Sequence, residues 1–71
     1  MDRQPVNSSM ITSIGYDSAN GVLEIEFKSD STVWQYYDFP EHMWNEFLIA
    51  ASHGKYWHAN IKKQFREARV G

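Results

Sequence analysis

Apolar and polar side chains alternate over residues 22–28, with Leu23, Ile25 and Phe27 on one face and Glu24, Glu26 and Lys28 on the other. A period of two predicts a half-buried β-strand. Upstream, Met10 to Tyr16 is rich in β-branched and apolar residues and ends in Asp17-Ser18-Ala19-Asn20-Gly21, which reads as a strand and its turn. Asn20-Gly21 tolerates the positive φ of a type I′ turn and predicts a hairpin closed by those two residues. After Ser29-Asp30, the run from Ser31 to Tyr37 returns as a third strand. Residues 1–8 carry Pro5 and no apolar periodicity, so a flexible N-terminal tail is expected there, with a single domain over residues 9–71.

The period changes after Phe39-Pro40-Glu41. Proline fits a first helical turn and Glu41 suits the positive end of the macrodipole. Met43, Trp44, Phe47, Leu48 and Ala51 then follow at helical spacing, with Gly54 as the expected left-handed terminator. A second helix is predicted from about Trp57 to Arg69, with Trp57, Ile61, Phe65 and Ala68 as its stripe. The expected fold is α+β, a three-stranded antiparallel meander followed by two helices packed on one face (βββαα).

Register decides what the strand aromatics can do. A two-residue Ser29-Asp30 turn pairs Phe27 with Thr32, Ile25 with Trp34 and Leu23 with Tyr36. A two-residue Asn20-Gly21 turn pairs Tyr16 with Ile25 and Ile14 with Phe27. Both place the apolar residues on one face, and only a loop of odd length would invert that parity. Trp34 and Tyr36 are therefore expected under the helices as core, not as a base-stacking platform. The opposite face carries Gly15, Val22, Glu24, Glu26, Val33, Gln35 and Tyr37.

Size makes the aromatics necessary. A chain of 71 residues buries only about 60% of its unfolded surface. It has no cysteine, so disulfides and thiolate metal sites are excluded. Three Trp, four Tyr and four Phe carry the core instead. No stretch matches a membrane span or a signal peptide, and a cytoplasmic protein without membrane contact is expected.

The formal charge of −2 is unevenly spread. Residues 1–49 hold two basic and eight acidic groups, a net −6, while residues 50–71 hold five basic groups and Glu67, a net +4. On the predicted second helix, Lys62, Arg66 and Arg69 fall along one side, with Lys63 nearby and Lys55 at its entrance. That stripe, with Tyr56 to stack a base, is the candidate nucleic-acid-binding surface. The same cations also suit the solvated C-terminal end of any helix. His42, His53 and His58 have no metal-motif spacing, and no nucleophile elbow or phosphate-cradling Gly-rich loop occurs. The expectation is no enzyme, no catalytic residue, no metal and no cofactor.

Several stretches together resemble a known small domain. Val6-x-Ser8-Ser9, Ile14-Gly15-Tyr16-Asp17, Leu23-x-Ile25-x-Phe27, Val33-Trp34-Gln35-Tyr36, Phe39-Pro40, Ala51-Ser52-His53-Gly54-Lys55-Tyr56-Trp57 and Ile61 resemble the KTSC domain, over about Val6 to Phe65. That family takes its name from the C-terminus of some lysyl-tRNA synthetases and also occurs as a free-standing bacterial protein. Its central Tyr-x-Tyr is replaced here by Trp34-Gln35-Tyr36, which keeps the aromatic bulk and loses a hydroxyl. The resemblance implies no catalytic residues and adds weight to RNA as a partner. The expected function is a small binding module for RNA, or alternatively a protein-interaction module that meets an acidic partner through the same helix or uses the open sheet face. The chain is expected to be a monomer, with an uncovered sheet edge as the route to weak self-association.

Overall fold

The residues of the alternating segment form the middle of a sheet that has more strands than the sequence pattern predicts. The computed structural model describes all 71 residues. Its elements are β1 (Gln4–Pro5), β2 (Ile11–Asp17), β3 (Val22–Phe27), β4 (Val33–Tyr36), α1 (Glu41–Leu48), α2 (His53–Tyr56), a π-helical turn (Trp57–Ile61) and β5 (Glu67–Arg69). The five strands form one antiparallel sheet in the order β1-β2-β3-β4-β5. The expected three-stranded meander lies at its centre, and each end of the chain adds an edge strand.

The second hairpin has the predicted register, with Ile25 opposite Trp34 and Leu23 opposite Tyr36. The first does not. Asp17 pairs with Val22, so the loop is the four residues Ser18 to Gly21, and Tyr16 meets Leu23 while Ile14 meets Ile25. The cause is Asp17, whose carboxylate accepts from the backbone N–H groups of Ala19 and Asn20 and builds a wider turn. Within this loop only Gly21 takes positive φ, at 65°. Four and two are both even, so side-chain parity is preserved.

One face of the sheet therefore carries the core. Ile11, Ile14, Leu23, Ile25 and Tyr36 are buried there with Phe39, Phe47 of α1 and Ile61 of the π-helical turn. Tyr16 stacks on Trp44 of α1 at 5.5 Å between ring centroids and donates its hydroxyl to the Phe39 carbonyl at 2.5 Å. Helix α1 stops at Leu48, and Ile49 beyond it is 82% exposed. Gly54 does not terminate α1 in a left-handed conformation. It lies buried inside α2, where an added Cβ would come within 3.3 Å of the Met10 Cβ.

The predicted second helix ends eight residues early. The Lys62 N–H donates to the Trp57 carbonyl at 2.8 Å, an i→i+5 bond, after which Lys62 becomes extended and Lys63 turns left-handed at φ 60°. The chain then runs back along β4, with Gln35 opposite Ala68. The spacing of Trp57, Ile61 and Phe65 suited a helix. Phe65 reaches the core from the connecting segment, where it packs against Phe39 at 4.9 Å.

The N-terminal segment is not a loose tail at residues 4–5, because Gln4 pairs with Ile14 and Pro5 with Ser13. Arg3 anchors that strand. Its Nε donates to Ser13 Oγ at 2.9 Å and its Nη1 to Glu24. Gln35 donates to the other Glu24 oxygen at 2.9 Å, Ser13 donates to Glu26 at 2.9 Å, and Tyr37 donates to Gln35 at 3.1 Å. This chain of bonds crosses the face away from the helices and lets Glu24 sit there only 6% exposed. Burial opposes the charge on Glu24, but the hydrogen bonds from Gln35 and Arg3 and the Arg3 charge hold its carboxyl below the usual range.

Two expected outcomes follow. A Cβ at Gly15 would collide with the Asp2 carbonyl oxygen, so Gly15→Ala expels β1 and costs about 1–3 kcal/mol in urea unfolding. Glu24 has a lower pKa folded than in the unfolded chain. It therefore contributes stability that is complete above about pH 4.5 and is lost as pH falls through its depressed folded value. Glu24→Gln flattens that acid limb, read as the urea midpoint between pH 7 and pH 3.

Candidate functional site

The early end of the helix opens a cleft beside it. Lys62 and Lys63, turning away from the π-helical turn, leave about 270 Å³ between themselves and the edge of the core. Its wall is aromatic, made by Phe27, Trp34, Tyr36 and Trp57. Both indoles are held in place. Trp57 Nε1 donates to the Tyr36 hydroxyl at 3.1 Å, and the Phe27 ring meets Trp57 edge-on at 5.1 Å. Trp34 Nε1 donates to Thr32 Oγ1 at 3.2 Å, which donates in turn to Asp30 at 2.7 Å. Those hydrogen bonds from Thr32 lower the Asp30 pKa. Tyr36 is 1% exposed, and burial pushes its hydroxyl up to about 12, so it stays neutral.

Charge is mixed at the rim. The Lys62 Nζ lies 5.7 Å from the Trp57 ring centroid, within cation–π range. Neither Lys62 nor Lys63 has an ion-pair partner, since the three ion pairs involve only Arg3 and Arg66. Asp30 and Glu67 also line the cleft, on strand-side segments. A flat ring with one anionic end fits this arrangement. A long anionic chain lying across both rims would meet the two carboxylates.

A second cleft, of about 400 Å³, lies between residues 7–10 and the start of α2, where Ser8, Ser9, His53, Lys55 and His58 meet. Ser52 caps α2 by accepting from the Lys55 N–H at 3.2 Å. No group of three or more His, Asp or Glu side chains is placed to hold a metal ion.

The expected basic stripe is dispersed. Lys62 and Lys63 sit together at the first cleft, and Lys55 belongs to the second. Arg66 lies over the Tyr37 ring at 5.1 Å and pairs with exposed Asp38 at 3.8 Å, a surface pair of little energetic weight. Arg69 is on β5 opposite Trp34 and donates to the Gly71 carbonyl at 2.9 Å. The Tyr56 ring packs on Phe47, and its hydroxyl donates to Glu46 at 2.6 Å. Burial and that carboxylate push Tyr56 up to about 12. Tyr56 is thus committed to α1. The aromatic next to the lysines is Trp57, and Trp34, expected to be core, is half-buried at the cleft. The spacing of Trp57 to Lys62 was visible in the sequence, but a helix would have separated the two by more than a turn.

Sheet, helices and clefts together define a small α+β domain with a five-stranded antiparallel sheet, both of whose clefts open to solvent. The family model of the KTSC domain matches residues 7–65, and the chain belongs to that family. It is similar to the crystal structure of a KTSC domain protein from Yersinia pestis, at a TM-score of 0.94 and 41% identity over 99% of this chain and 97% of that one. It is also 36% identical to a protein of Tsukamurella paurometabola over 63 residues, 89% of this chain and 92% of that protein. No helix is long and apolar enough to cross a membrane.

Lys63 provides a test of the site's construction. A lysine in the left-handed region is strained relative to glycine there. Lys63→Gly is expected to raise the stability by about 0.5–1 kcal/mol, measured by urea unfolding, while removing one of the cleft's two cations.

Proposed function

We propose that this chain is a non-enzymatic binding module that takes a nucleotide of single-stranded RNA in the first cleft. The observation that carries this reading is the pair of unpaired lysines beside fixed indoles, with Lys62 over Trp57. Bases stack on aromatic side chains without strong sequence preference, at about 1–3 kcal/mol per base, and lysines beside them neutralise the adjoining phosphates. Trp57 and Trp34 supply the aromatic wall, and Lys62 and Lys63 the charge. Asp30 and Glu67 favour a short engagement over a long one.

The protein-interaction reading has less support. The open sheet face is covered by the hydrogen-bonded chain from Arg3 to Tyr37, which offers polar groups that are already paired.

Tryptophan fluorescence during titration with an unstructured oligoribonucleotide tests the proposal. The expected result is quenching with a salt slope near −1.4, from about 0.7 per phosphate over two lysines. Each of Lys62→Ala and Lys63→Ala should reduce the slope by about 0.7. Absence of quenching at 50 mM salt, or an affinity indifferent to both substitutions, overturns it.

A further inference from the structure

We propose that the second cleft is a binding site for a phosphate group. This does not depend on RNA being bound at the first cleft. The chain has nine Asp and Glu and a formal charge of −2, yet none of the ten residues lining this cleft is acidic. Its titratable groups are Lys55, His53 and His58, all from α2 and the π-helical turn, while the facing residues 7–10 contribute none.

Lys55, His58 and Ser9 are free to donate. Lys55 Nζ takes part in no ion pair, and the side chains of His58 and Ser9 make no hydrogen bond within the protein. Ser8 Oγ and Ser52 Oγ accept backbone N–H groups, which leaves each hydroxyl proton available. His53 Nε2 lies 3.4 Å from the Leu48 carbonyl, and its ring packs edge-on against Phe47. Helix α2 is too short for its dipole to matter, and the Lys55 N–H is already taken, so the side chains carry the site.

The two walls, residues 7–10 and 51–58, are far apart in sequence and are held in place by two contacts. Lys28 Nζ donates to the Ser8 carbonyl at 2.6 Å, and Gly54 lets the backbone of α2 close on Met10. Hydroxyls on both walls, with an ammonium and imidazoles on one of them, suit a tetrahedral oxyanion with several acceptor oxygens better than a carboxylate with two. The volume leaves room for the group that the phosphate esterifies. A phosphate monoester and the diester of a nucleic-acid backbone share this chemistry.

The experiment is an amide NMR titration of the whole chain with sodium sulfate at constant ionic strength. The expected result is saturable shifts confined to residues 7–10 and 52–58, absent with chloride, and weakened at least about tenfold in Lys55→Gln and in His58→Gln. Both residues are exposed, so the variants should keep the fold. Phenyl phosphate and an oligonucleotide without a terminal phosphate then separate the sources. Shifts with the first alone assign a monoester, and shifts with the second assign a backbone phosphate. Shifts that match the chloride control, or that persist unchanged in both variants, overturn the proposal. Quenching at the first cleft without these shifts also overturns it and leaves the RNA reading standing.

Discussion

Both hairpin loops hold an even number of residues, and that parity puts the aromatic, leucine and isoleucine side chains of β2, β3 and β4 on one side of the sheet. Ser18 to Gly21 close the first hairpin, and Lys28 to Ser31 separate Phe27 from Thr32 in the second. A slip of one residue in either would move Leu23 and Ile25 to the face occupied by Glu24 and Glu26. Without disulfides, a chain of 71 residues has only one core to spend its aromatics on. The helical residues available cover one face only. The other face must satisfy its own polar groups, and the bonds from Arg3 to Tyr37 do so while holding the N-terminal strand.

The same constraint explains why the helical segment at the C-terminal end is short. Strand β4 would otherwise be an open edge, a liability in a sheet. Pairing Glu67 to Arg69 with it requires the chain to leave the helix by Lys62, and the π-helical turn with left-handed Lys63 makes that exit. Covering the edge therefore exposes one side of Trp57's surroundings. The first cleft is the space a continued helix would have filled, which ties the site to the sheet topology.

The legible parts of the fold were those set by local periodicity. The alternation in β3, the amphipathic spacing of α1 and the even-loop parity were sufficient to place Tyr36 in the core and Glu24 on the other face. The two edge strands left no such signal. Gln4-Pro5 is too short to alternate, and Glu67-Ala68-Arg69 has low β-propensity, so both are strands because a neighbour offers them hydrogen bonds. The site was legible as a set of residue types rather than as a place. Lys62 and Lys63 proved to be neighbours of an aromatic wall, but the helix that was to align them with Arg66 and Arg69 does not extend so far. The second cleft joins Ser8-Ser9 to the stretch from Ser52, two segments that carried the family resemblance separately. Nothing local in the sequence says that they touch.

Charge asymmetry along a sequence becomes a patch only if the fold keeps the charges together. Here the net +4 of residues 50–71 is divided, with Lys55 at one cleft, Lys62 and Lys63 at another, Arg66 over Tyr37 and Arg69 on the last strand. A protein that tracks a duplex needs cations spaced to neutralise several phosphates in a row. Five cations in four separate settings, interrupted by Asp30, Asp38 and Glu67, meet that need poorly. They are better matched to ligands that present one or two anionic groups at a time, each beside a specific surface: fixed indoles in one cleft, hydroxyls and imidazoles in the other. The dispersal that weakens a continuous nucleic-acid groove thus leaves two small clefts of different chemistry, one lined from the start of the helical segment and one where it ends.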